Sequence, residues 1–175
     1  MYARFLLFFL LCLAININFS SAKEPPENTK VVSLVESKEN TFIDYKTSHF
    51  KKGTFDKVYL GILDKNTNTA KITLSRQNNK YIPRGVYTSP FFEVTEFTEL
   101  IISQNSTTPR STSIEIQAQV MIDGKLSNWF SWGKQKSLEP SGSAKTNPQD
   151  NNIVLDIDTL NILNGKKSTC LRYRV

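Results

Sequence analysis

The stretch from Thr112 to Trp132, TSIEIQAQVMIDGKLSNWFSW, decides the fold class. Ile114, Ile116, Ala118, Val120 and Ile122 alternate with Ser113, Glu115, Gln117, Gln119 and Met121. That period of two predicts a strand with one apolar face. Asp123-Gly124 follows, a pair favoured in two-residue hairpin turns because both positions need positive φ. Lys125 to Trp132 then returns as the partner strand. With Asp123 and Gly124 as the turn, Ile122 faces Lys125, Val120 faces Ser127, Ala118 faces Trp129 and Ile116 faces Ser131. Trp129 thereby joins the aliphatic face, which is the expected core. On the other face Met121 meets Leu126, Gln119 meets Asn128, Gln117 meets Phe130 and Glu115 meets Trp132. A register slip of one residue would exchange the two faces.

The second face is the candidate binding surface: Glu115, Gln117, Asn128, Phe130 and Trp132. Aromatic rings stack on the apolar faces of sugars, while amides and carboxylates bond the hydroxyls. The plainer alternative stays open: Phe130 and Trp132 simply cover the sheet against a loop or another domain.

Working outward, the same short β-like runs recur. Val31 to Val35 is one. Val58 to Leu63 and Ala70 to Leu74 flank a polar turn and predict a second hairpin. Phe97 to Ile102 is another apolar run. No segment sustains a period near 3.6. The expected fold is all-β, an antiparallel β-sandwich of jelly-roll type over residues 31–175.

The ends predict export. Arg4 precedes an apolar run from Phe5 to Ile15, and Ser20-Ser21-Ala22 supplies small residues for a peptidase. Residues 1–22 therefore read as a cleaved signal peptide. The run is too short for a membrane span, which needs about 20 apolar residues. No stable membrane insertion is expected after cleavage. Residues 23–30, with two prolines, read as a flexible leader. Cys12 would leave with the signal, so Cys170 would have no intrachain disulfide partner. The chain holds 22 basic and 16 acidic residues, but its lysines are scattered. Without a basic run, nucleic acid is not an expected partner.

Chemistry-bearing motifs are scarce. No phosphate loop, paired histidines, Cys-x-x-Cys or Gly-x-Ser-x-Gly elbow occurs. Asp156 and Asp158, two apart, are expected on one solvated strand face. Asn105-Ser106-Thr107 has the form of a glycosylation acceptor. No catalytic residue, metal ligand or cofactor is expected, and Cys170 with His49, the single histidine, is not expected to form a catalytic pair.

From Gly85 to Val175 the chain resembles a known family. Gly85-Val86-Tyr87-Thr88-Ser89-Pro90 matches its Gly-x-Tyr-x-Ser-Pro strand opening. Phe97 to Ile101 precedes Ser103-Gln104-Asn105-Ser106-Thr107-Thr108-Pro109, where the family has Ser-Trp-Asn-Ala-x-Thr-Pro. Ile114 to Gly124 resembles its long strand and turn. Ser127-Asn128-Trp129-Phe130-Ser131-Trp132-Gly133-Lys134 is the most specific piece, and Asp156 to Leu160 and Leu171 to Arg174 resemble its final strands. The family is the N-terminal β-sandwich region of secreted bacterial papain-like cysteine peptidases, the peptidase C-thirty-nine-like group. Gln104 and Gln135 depart from its usual tryptophans, and Ser111 from its usual glycine.

The resemblance implies an accessory module whose peptidase domain, with its catalytic cysteine and histidine, would lie beyond Val175. Cys170 falls in a structural strand and does not inherit the catalytic role. The expected function is a secreted, non-catalytic accessory or binding module, extracellular and associated with the cell wall. Its expected partners are a wall glycan or peptide, or the missing peptidase domain. The alternative is a peptidase fragment with no function of its own. A truncated sandwich would leave an open strand edge near the C-terminus.

Overall fold

The computed structural model describes residues 41, 44, 46–109, 111–136 and 148–175, with the backbone of Arg4–Leu7 and Val31–Ser33. The signal-peptide and leader expectations otherwise lie outside the described residues. In chain order the elements are β1 (Arg4–Leu7), β2 (Val31–Ser33), the single-turn helix α1 (Thr47–Phe50), β3 (Thr54–Asp56), β4 (Val58–Asp64), β5 (Thr69–Leu74), β6 (Arg76–Gln77), β7 (Lys80–Tyr81) and β8 (Val86–Thr88). They continue with β9 (Phe91–Phe97), β10 (Glu99–Ile102), β11 (Ile114–Ile122), β12 (Lys125–Leu126), β13 (Phe130–Gln135), β14 (Ile153–Asp156), β15 (Thr159–Ile162) and β16 (Ser168–Arg174).

The fold is all-β and sandwich-like, as the alternation predicts. In the central sheet β16 pairs with β11 on one side and with β8 and β9 on the other. β12 and β13 extend the β11 side, and β3 and β2 the other. A second sheet runs β1-β10-β15-β14. Pairing is antiparallel except where β1 joins β10 and β2 joins β9. The expected hairpin of β4 and β5 forms. One core joins the sheets: Phe92, Ile116, Val120 and Leu171 pack in the same cluster as Leu100, Ile153 and Leu160. The chain crosses between sheets at Thr98, whose carbonyl accepts the Ile162 N–H at 2.7 Å.

The β8–β9 boundary shows why Ser89-Pro90 sits there. Pro90 has no N–H to give the ladder. Ser89 accepts the Tyr173 N–H on Oγ at 2.9 Å, and its own N–H donates to the Tyr173 carbonyl at 2.9 Å. The strand bends without leaving β16 unpaired.

Three expectations are corrected. The turn forms at Asp123 and Gly124, both at positive φ, and Ile122 pairs with Lys125 and Met121 with Leu126. Beyond that the register slips by one: Ala118 pairs with Phe130 and Gln117 with Ser131. The extra residue enters between Phe130 and Ser127, which keeps its place opposite Val120. The Ser127 N–H donates to the Val120 carbonyl, but the Val120 N–H bonds Ser127 Oγ at 3.1 Å. The Ser127 carbonyl is turned away to accept the Gln119 side-chain amide. A bulge of this kind reverses the facing of every later side chain. Phe130 and Trp132 therefore enter the core, at 1% and 7% exposure, and Trp129 leaves it half-buried. The slip puts two rings in the core where the expected register put one ring and Ser131, and a buried large apolar side chain contributes roughly 1.5–3 kcal/mol. A second irregularity sets Glu115 opposite Lys134, not Trp132.

The other two corrections concern the C-terminal third. β16 is not an open edge; it is the middle of the central sheet, because its inner residues Leu171 and Tyr173 fill the core. Asp156 and Asp158 do not share a strand face. Asp156 closes β14, and Ile157, at φ 53°, begins a tight turn into β15. The Asp158 carbonyl in that turn accepts the Trp132 indole N–H at 2.7 Å.

Candidate functional site

The outer face of the central sheet carries a row of interacting polar and aromatic groups. Strand alternation sends Gln117 and Gln119 of β11 and Arg172 and Arg174 of β16 to the same side. The ladder sets Gln117 opposite Arg174 and Gln119 opposite Arg172. Arg172 Nε donates to Gln119 Oε1 at 2.8 Å, and Arg174 Nε donates to Gln117 Oε1. The Trp129 ring lies against both: its centre is 4.4 Å from the Arg174 guanidinium carbon and 5.0 Å from that of Arg172. Phe91 flanks Arg172 at 4.4 Å. Such cation–π contacts strengthen as the groups lose water. Burial and the neighbouring arginines hold both guanidinium pKa values below their ordinary level.

Glu115 ends this row. Its Oε1 accepts Ser131 Oγ–H at 2.6 Å and Gln117 Nε2–H at 2.7 Å. The Ser131 bond is the main cause holding its carboxyl below the usual range. Of the five residues expected on the binding face, the structure brings Glu115 and Gln117 together there. Asn128 is exposed in the loop before β13. Phe130 and Trp132 belong to the core. Sequence reasoning missed Trp129, Gln119, Arg172 and Arg174 as one group. The available signal was Leu171-Arg172-Tyr173-Arg174, in which arginine recurs at every second residue of a strand.

Cys170 also faces outward but is buried at 5% with Phe91 and Met121. Burial, and secondarily Glu93, pushes its thiol up to about 12. A thiol that keeps its proton is a poor nucleophile. His49 belongs to the inner side. Its Nδ1 lies 3.3 Å from Oδ1 of the buried Asp44, whose Oδ2 accepts the Tyr173 hydroxyl at 2.6 Å. Tyr87 donates to the Phe50 carbonyl at 3.3 Å. Cys170 and Tyr173 leave opposite faces of β16, so the thiol and the Asp44–His49 pair are separated by the sheet. No metal-binding group of three or more such residues occurs among the described residues.

Gln104 and Gln135 meet: Gln104 Nε2 donates to Gln135 Oε1 at 2.8 Å. They line a polar depression of about 220 Å³ with Asn105, Ser106, Thr108 and Lys136. Nearby Ser111 has φ 66°, a conformation in which glycine costs least.

The family model described as Peptidase C39 N-terminal domain matches residues 40–175. This chain belongs to that family. No curated protein and no solved structure matches it. The matched span of this Peptidase C39 N-terminal domain runs from just before Asp44 through β16 and holds every residue of the outer-face row.

Proposed function

We propose that this Peptidase C39 N-terminal domain is exported and acts outside the cytoplasm as a non-catalytic accessory module, with the outer face of its central sheet as the binding surface. The observation that carries the reading is the ordered row Glu115–Gln117–Arg174–Trp129–Arg172–Gln119. Long polar side chains lose about 1.5–2 kcal/mol of rotamer freedom when fixed. Here they are fixed on a face where Gln117, Trp129, Arg172 and Arg174 stay partly exposed, which favours a ligand surface. The buried, protonated Cys170 supports the absence of a peptidase role for this domain. A cell-wall polymer, glycan or peptide, is the proposed extracellular target. Sugar stacking would fall to Trp129, since Phe130 and Trp132 are enclosed.

Incubation with casein and with a peptidoglycan stem peptide should give no turnover; hydrolysis abolished by Cys170→Ser would overturn the non-catalytic reading. Retention on insoluble peptidoglycan should fall in Trp129→Ala at moderate salt. Equal retention of both proteins would leave only diffuse charge attraction.

A further inference from the structure

Arg172 and Arg174 occupy consecutive same-face positions of β16. Side chains so placed start roughly 6.6 Å apart. Two like charges at that distance repel, yet both are held in place, each by a glutamine carbonyl and both by the Trp129 ring. A guanidinium has five N–H donors. One on each arginine is used, and among the described residues the others make no hydrogen bond or ion pair. Arg84 adds positive charge that disfavours the charged form of Arg174 more than the nearby Glu115 favours it. The one carboxylate in the row, Glu115, is already engaged by Ser131 and Gln117.

We propose that Arg172 and Arg174 form a docking site for an acidic peptide segment in extended conformation, with carboxylates two residues apart that each engage one guanidinium. The proposal rests on the outer face being the binding surface and names its ligand. Charge complementarity selects an anion. The step selects the source: an extended peptide repeats its same-face side chains at the spacing β16 gives its arginines. The planar guanidinium fork matches a planar carboxylate in a two-bond pairing. Prior fixation by Gln117, Gln119 and Trp129 removes part of the ordering cost that such a contact normally carries.

The test titrates the full chain with three probes: a peptide with glutamates at alternate positions, its isomer with the glutamates adjacent, and poly(glycerol phosphate). The alternating peptide should bind at least about fivefold more tightly than either other probe, and about tenfold more weakly to Arg172→Gln or Arg174→Gln. Arg174→Lys keeps the charge but loses the fork, and should also weaken binding. Circular dichroism and the melting temperature verify that each variant folds. Equal affinity for the isomer or the polyphosphate, or wild-type affinity in the lysine variant, overturns the proposal. If the peptide fails while wall retention still depends on Trp129, only the ligand class falls. If neither depends on this face, the proposed binding surface falls with it.

Discussion

Asp44 is a buried carboxylate held between two side chains. It is 1% exposed, bonded to the hydroxyl of the fully buried Tyr173 and set against His49. It thereby ties the segment before α1 to the middle strand of the central sheet. Asp44→Ala would take from the buried Tyr173 hydroxyl the carboxylate to which it donates. A hydrogen bond to a charged group contributes about 1.5–3 kcal/mol. Urea unfolding should show that loss, and Asp44→Asn, which keeps an acceptor oxygen, should lose less. Equal midpoints for Asp44→Ala and the wild type would show that this bond contributes nothing net. The tie itself was not legible in the sequence. Asp44 and Tyr173 are far apart along the chain, and no local pattern distinguishes this aspartate from the solvated ones.

The hairpin of β11 and β12 shows where sequence reasoning holds at the scale of one element and where it stops. Asp123-Gly124 prescribes its own turn, because few other pairs accept positive φ twice. Alternation in Ile114 to Ile122 fixes the inner face of β11. The returning strand carries no such instruction. Its bulge depends on the Ser127 hydroxyl replacing a backbone acceptor, a choice made by the fold and not by periodicity. Trp129-Phe130-Ser131-Trp132 offers a ring to either parity, and only the count of two rings against one favours the observed facing. The outer-face row was half legible for the same reason. Glu115 and Gln117 lie on the strand that alternates, whereas Trp129 lies past the bulge and the arginines on a strand distant in sequence.

The loop between β10 and β11 gives a test at this scale. Ser111 is exposed and holds φ 66° without glycine's freedom. Non-glycine residues in that region cost about 1–3 kcal/mol, partly offset by glycine's extra unfolded entropy. Ser111→Gly should therefore stabilise the domain by about 0.5–1 kcal/mol, read as a raised melting temperature. A lowered one would mean that the serine side chain supports the loop.

For the whole molecule, burial of ionisable groups sets the response to alkali. Cys170 rises from an ordinary 9.0 to about 12, and burial and Asp44 push Tyr87 and Tyr173 above 10.0. Each group is more easily deprotonated in the unfolded chain. Its contribution is complete below the unfolded value and is lost as pH rises toward the folded one. From neutral pH stability should stay level to about pH 8 and fall from about pH 9 upward. Cys170→Ala should flatten the part between pH 9 and about 12. Urea midpoints across that range provide the measurement, and a slope unchanged in the variant would remove the thiol from the account.

The position of β16 also orders events in time. Every strand that flanks it, on either side, is made earlier. A nascent chain elongating at about 5–20 residues per second carries its other strands into the open before the one that joins them. Until the segment ending at Arg174 clears the ribosomal tunnel, β11 and β9 have no shared neighbour, and their apolar inner faces are available to chaperones. The domain is thus built to close late. A machinery that threads unfolded polypeptide would meet this chain in the form it can carry.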